Sequence, residues 1–175
     1  MTLPVLLFIL AFVPMVVEAR LSRGNEQSLR AAGAREPPGD VYRLMRIAYP
    51  VCFGAMVLEA WFRSSRFTPA FAAGAVLFTA AKALKYWAIA SLGPRWAFRV
   101  LVPRRSSLVS SGPYRHLRHP NYVGVAGEIA GMALMAQAPV SGSIALITFC
   151  TLLFARIRVE ERALSDAQGS RSDVL

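Results

Sequence analysis

The sequence predicts an all-α integral membrane protein, a bundle of about five transmembrane helices with a C-terminal helical hairpin. Two observations carry this. Hydrophobic residues make up 55% of the 175 and mean hydropathy is +0.42. The apolar residues come in blocks, not in an amphipathic scatter, as a bilayer demands of its helices. Eighteen arginines and two lysines oppose ten acids, for a net charge of +10. A pI near 10.8 is also a signature of nucleic-acid binding. Here the basic residues sit between apolar blocks and no groove-reading motif is present, so no nucleic-acid partner is expected.

The first block, 3–17 (LPVLLFILAFVPMVV), has no basic residue ahead of it and no small-residue cleavage pattern behind it. It ends at Glu18 and Arg20 and reads as a retained first helix. The next blocks are 47–62 (IAYPVCFGAMVLEAWF) and 69–92 (PAFAAGAVLFTAAKALKYWAIASL). The last two, 122–136 (YVGVAGEIAGMALMA) and 140–155 (VSGSIALITFCTLLFA), are joined by little more than QAP, which predicts a tight hairpin. Several blocks fall short of the roughly 20 residues that span a bilayer. Extension into the flanks, tilt or local thinning closes the gap. One domain is expected over 1–165, with a flexible tail at 166–175.

The arginines set the orientation. Loop 18–46 holds six, loop 63–68 two, loop 93–121 six, the turn at 137–139 none and the tail from 156 four. Five spans with the N-terminus outside place sixteen on the cytoplasmic side and two outside, as the positive-inside rule favours. The C-terminus and loop 93–121 then share the cytoplasmic face.

Two segments stand out chemically. GPYRHLRHPNYVG, 112–124, is stiff: Pro113 and Pro120 each fix φ and bias the residue before them, and Pro120 suits a helix's first turn. Such a loop presents free N–H groups and a positive dipole end that welcome a carboxylate. Tyr114, Tyr122 and His119 add aromatic faces, hydroxyls and a titratable ring. RIRVEERAL, 156–164, puts Arg156 and Glu160 four apart and so on one helical face, with Glu161 beside them. The bland alternatives are a basic interfacial anchor and a solvated helix end.

Together, G-x-Y-x-x-x-R-H-P-x-Y-x-G and R-x-x-x-E-E resemble the isoprenylcysteine carboxyl methyltransferase family over roughly 82–164. That resemblance implies a small membrane O-methyltransferase using S-adenosylmethionine. It implies cofactor contacts at Ser106, Ser107, Leu108, Val109, Tyr114, His119, Pro120, Asn121, Tyr122 and Glu160. Arg156 would face the acceptor, and His119 or Glu161 would be a possible base for a phenol. Arg99 stands where the family has Gln and is not carried over. Segments 19–45 and 85–96 resemble a bacterial subgroup that methylates hydroxyls of alkylpyrones or alkylresorcinols. The expected partners are a lipophilic acceptor arriving from the bilayer and the membrane lipids, with no obligate protein partner. The expected site is the cytoplasmic face of a bacterial plasma membrane.

The remaining charged and aromatic residues are read as follows. Glu128, inside the fourth block, is costly there and is a functional candidate. Lys82 and Lys85 are read as snorkelling, or as lining the site. Glu18 and Glu59 are read as interfacial, and Tyr86, Trp87 and Trp96 as an aromatic belt. Cys52 and Cys150 read as small buried hydrophobes, with no metal-ligand spacing. His116 lacks a ligand partner and is expected to be solvated. The G-x-x-x-G at 127–131 allows close helix packing. Two other readings stand beside the methyltransferase: an NADPH-binding membrane sterol-reductase-like enzyme, whose loop is similar, and a non-enzymatic membrane adaptor with a basic face.

Overall fold

The computed structural model describes residues 3–102 and 109–172. They form five α-helices: α1 (Leu3–Ala31), α2 (Tyr42–Phe62), α3 (Pro69–Leu92), α4 (Pro120–Ala136) and α5 (Pro139–Ser172). Among the described residues there is no strand, only an isolated antiparallel bridge between Arg35 and Val102. Four helices, α1, α2, α3 and α5, are long and apolar enough to cross a membrane. The difference from the expected five is α4. Its 17 residues reach about 26 Å at about 1.5 Å per residue, short of the roughly 30 Å hydrocarbon core.

Local chemistry explains the boundaries. Thr68 accepts a hydrogen bond from the Phe71 N–H (3.2 Å) and Pro69 opens α3, an N-cap with proline in the first turn. The hairpin between α4 and α5 is as tight as its sequence predicts. Gln137 takes a left-handed φ of +51°. Its amide donates to the Arg66 carbonyl (2.6 Å) and Thr68 Oγ1 (3.0 Å), tying the hairpin to the α2–α3 turn. Glu59 accepts from the Ser141 N–H (2.8 Å) and hydroxyl (2.6 Å) at the start of α5.

α4 is the centre of the bundle. Its Gly124, Val125, Glu128, Ile129, Met132, Met135 and Ala136 are buried, packed with Leu7, Phe53, Met56 and Phe149. It lies closest to α3. A Cβ on Gly131 would fall 2.6 Å from the Phe78 nitrogen, and one on Gly74 would fall 2.7 Å from the Gly131 carbonyl. The small-residue spacing therefore does bring two helix backbones together. Large apolar side chains such as Phe8, Val13, Ile47, Val51, Val76, Ile144, Ile147 and Phe154 point outward. In water they would form a patch far larger than a soluble monomer exposes; lipid satisfies them.

Several sequence readings are corrected. α1 does not stop near Val17 but continues to Ala31, so Glu18 is mid-helix and 2% exposed rather than interfacial. Lys82 and Lys85 do not snorkel: each pairs with both Glu18 and Glu128, at 2.6–3.3 Å. Burying four charges is costly, and reciprocal pairing offsets that cost. Trp96 is 2% exposed and belongs to no belt, whereas Tyr86 and Trp87 face outward. Cys150 is exposed rather than buried. α5 runs to Ser172, through part of the stretch read as a tail.

Filling the α3–α4 contact should be costly. Gly131→Val is expected to destabilise by about 1–3 kcal/mol through overpacking. Gly24→Ala, on a helix with open space around it, should be neutral or stabilising. Thermal unfolding in detergent compares the two, and equal midpoints would contradict the packing.

Candidate functional site

The two segments singled out in the sequence meet. The loop reaches α4 through a 3₁₀ turn at Gly112–Arg115. Gly112 has φ +60°, and a Cβ there would sit 2.1 Å from Ser91 Oγ, so glycine alone lets the turn lie against α3. Pro120 is fully buried at the first turn of α4. The Tyr122 hydroxyl donates to Glu160 Oε2 (2.6 Å) and accepts from Arg156 Nε (2.9 Å). The His119 ring stacks on Tyr122, with centroids 5.5 Å apart. Its nitrogens lie 3.9 Å from Glu160 and 3.4 Å from Glu161.

Arg156 is 5% exposed and held by all three of its nitrogens. Besides Tyr122 it donates to the Phe98 carbonyl, lies 3.5 Å from Asp40 Oδ1 and 3.8 Å from Met45 Sδ. Segment 93–102 is thereby strapped across this end of the bundle. The polar continuation of α1 holds its other edge. Asn25 donates to the Trp96 carbonyl (2.7 Å) and Ser22 accepts from the Phe98 N–H (2.8 Å). Asp40 Oδ2 accepts from the Val100 N–H (3.1 Å), while Oδ1 accepts from Tyr42 N–H (3.1 Å). Arg99 bonds to Glu36 (2.6 Å). Burial pushes the Glu36 carboxyl up, but hydrogen bonds from Arg30 and Arg99 outweigh it and hold the group below the ordinary 4.5. That clamp contributes above about pH 4.5 and is lost as pH falls through the lower folded value.

Beneath the strap lies a cavity of about 1040 Å³, at the upper end of the range for small-molecule sites, roughly 300–1,000 Å³. One end is polar, with His119, Asn121, Tyr122, Arg156, Glu160 and Glu161. Phe12, Met15, Met45, Val125, Phe149 and Leu153 from four helices give it an apolar wall, and Tyr49, Lys85, Arg46, Arg95, Arg99 and Arg118 also line it. Two buried atoms on residues of its wall have no hydrogen-bond partner, the Trp96 indole Nε1 and Asn121 Oδ1. An orphan buried donor and an orphan buried acceptor on one cavity are what a bound polar ligand would satisfy. Tyr114 also lines the cavity. Burial, and then the Glu160 charge, push its phenol well above its usual value, so it is a neutral donor.

Of the residues expected here, Val109, Tyr114, His119, Asn121, Tyr122, Arg156 and Glu160 line the cavity. Pro120 lies beneath the loop and does not line it. Ser106, Ser107 and Leu108 lie outside the described residues. Trp96, Asp40 and the α1 residues Ser22 and Asn25 were missed. Asp40, in PPGD just ahead of α2, carried a readable helix-start signal; the others carried none. Among the described residues no cluster of His, Cys, Asp and Glu could hold a metal ion.

The chain matches the isoprenylcysteine carboxyl methyltransferase family over residues 74–166, a stretch containing both segments. It is similar to the uncharacterized protein YpbQ of Bacillus subtilis (strain 168), 30% identical over 161 residues, 92% of this chain and 96% of that protein. An uncharacterized Haemophilus influenzae protein is 26% identical over 146 residues, 83% of this chain and 85% of its own. The cobalt-zinc-cadmium resistance protein CzcN of Cupriavidus metallidurans is 32% identical over 80 residues, 45% of this chain and 37% of its own. No solved structure matches the chain.

Asp40 should hold the strap closed. Asp40→Ala leaves the buried Arg156 guanidinium without its carboxylate, a loss of about 3–5 kcal/mol for a broken buried pair. In a background with Trp61 and Trp87 replaced by Phe, Trp96 fluorescence should resist acrylamide quenching until Asp40→Ala is added. Equal quenching with and without Asp40 would show that the strap is held otherwise.

Proposed function

Because the chain belongs to the isoprenylcysteine carboxyl methyltransferase family, we propose that it is an integral membrane O-methyltransferase that uses S-adenosylmethionine and acts on a lipophilic acceptor. The acceptor offers a carboxylate or a phenol-like hydroxyl, of the kind carried by prenylcysteines or by alkylpyrones and alkylresorcinols. The observation that carries the proposal is the Tyr122–Glu160–Arg156 junction on a cavity that also has a wall of apolar side chains from four helices. A water-soluble donor and a membrane-soluble acceptor need just such a two-ended site. The arginine-rich loops support placing its polar end in the cytoplasm, and a bacterial plasma membrane suits the bacterial relatives.

The residues fit the donor's chemistry. Its adenine, ribose diol, ammonium and carboxylate offer both donors and acceptors. Asn121 Oδ1 and Trp96 Nε1 supply one unpaired acceptor and one unpaired donor. Glu160 can accept from a hydroxyl or the ammonium. His119 and the N–H groups at the start of α4 suit the carboxylate. When bound, S-adenosylmethionine supplies an electrophilic methyl on a sulfonium, so the protein's task is alignment and exclusion of water. The strap shields one side of the site from water. Arg156 orients Tyr122 and Glu160 and puts positive charge beside the acceptor's oxygen.

Calorimetry should show binding of S-adenosylhomocysteine but not NADPH. Glu160→Ala should weaken it about 10-fold or more, the worth of a charge-assisted hydrogen bond. Arg156→Ala should slow acceptor turnover more than it weakens that binding. Unchanged affinity in Glu160→Ala, or preference for NADPH, would overturn the assignment.

A further inference from the structure

Six residues below Tyr122 on α4, about 9 Å along the axis at about 1.5 Å per residue, stands Glu128. It is fully buried. The Tyr49 hydroxyl of α2 donates to its Oε2. Lys82 and Lys85 of α3 lie 3.1 and 3.3 Å from its carboxylate, and Glu18 of α1 closes the ring with both lysines, at 2.9 and 2.6 Å. Tyr86 flanks Lys82, 5.6 Å from ring centroid to Nζ. From α5, Phe149 lies edge-on to Tyr49 at 5.2 Å. Two ammonium and two carboxylate groups thus form a neutral cluster at membrane depth. Only Tyr49 and Lys85 of this cluster reach the cavity wall. Helix gluing alone would not require an edge of the cluster to line a ligand cavity, and intramembrane ionisable groups mark proton and substrate paths.

We propose that Tyr49 and Glu128 form the proton relay of the reaction, and that the acceptor group is a weakly acidic hydroxyl. This rests on the methyltransferase reading above. A carboxylate acceptor arrives ionised and needs no base; a phenol-like hydroxyl does. Tyr49 receives the hydroxyl proton at Oη while passing its own proton to the Glu128 carboxylate. The acceptor's O–H bond breaks as its O–CH₃ bond forms, and the S–CH₃ bond breaks with its electron pair left on sulfur as a neutral thioether. Lys82 and Lys85 hold the Glu128 carboxylate in place beside Tyr49. The proton returns through Tyr49 to water at the cavity's polar end when product leaves. Tyr49 is the catalytic residue; Glu128 acts through it.

The test compares Tyr49→Phe, which leaves the four-charge ring intact, with Glu128→Gln. Three long-chain acceptors are used: an alkylphenol, an alkylated nitrophenol already ionised at neutral pH, and a fatty carboxylate. Tyr49→Phe should slow the alkylphenol about 100-fold or more, the usual scale of general-base loss. It should leave the ionised nitrophenol within about 2-fold, and S-adenosylhomocysteine affinity by calorimetry unchanged. The alkylphenol defect should shrink as pH rises toward the phenol's own pKa. Glu128→Gln should share the acceptor dependence even if its melting temperature falls. Equal slowing of all acceptors, or a wild type that methylates only the carboxylate or no phenol, would overturn the relay. A wild type that fails to bind S-adenosylhomocysteine would instead overturn the methyltransferase reading itself.

Discussion

The polar end of this bundle converges on one guanidinium. Arg156 leaves α5 almost completely buried and reaches the Tyr122 hydroxyl on α4, the Phe98 carbonyl in the strap and Asp40 ahead of α2. An arginine withdrawn from water in this way is tolerable only because nearly every donor finds a partner. The constraint runs outward from there. Tyr122 is fixed between Arg156 and Glu160, His119 stacks on Tyr122, and the strap forms part of the wall of the cavity they line. Remove the guanidinium and three elements lose their common tie.

The cavity reads as the product of two solvents. Its polar end is built from loop and helix-end residues, where backbone N–H groups and charged side chains remain available. Its apolar part is built from helix sides that would otherwise face each other or lipid. α4 makes this possible by being short and central. It packs closely on α3 through Gly74 and Gly131, and its Val125 lines the cavity together with Phe149 and Leu153 of α5. Of the charged ring and its Tyr49, only Tyr49 and Lys85 reach that wall.

Much of this was legible in the sequence, for identifiable reasons. The third block and α3 have the same bounds, 69 and 92, because Thr68–Pro69 and Gly93 punctuate both ends. Arg156 and Glu160 share a face because helical periodicity is local. The extension of α1 is not legible: hydropathy falls after Val17, where the helix leaves the apolar zone without ending. Ser22 and Asn25 then act on Phe98 and Trp96, 76 and 71 residues away. The pairing of Lys82 with Glu18 spans 64 residues. No local pattern reports such partners, so snorkelling was the natural but mistaken reading. Trp96 went the same way, since a tryptophan near a helix end has the same local signature in a belt or under a strap.

The central claim is that the α4 loop and the α5 end form one binding surface. Hydrogen–deuterium exchange in detergent, with and without S-adenosylhomocysteine, tests it most directly. Ligand should slow exchange in 110–122 and 153–161 together, with the two saturating at the same concentration. Protection of one segment without the other, or of neither, would contradict it.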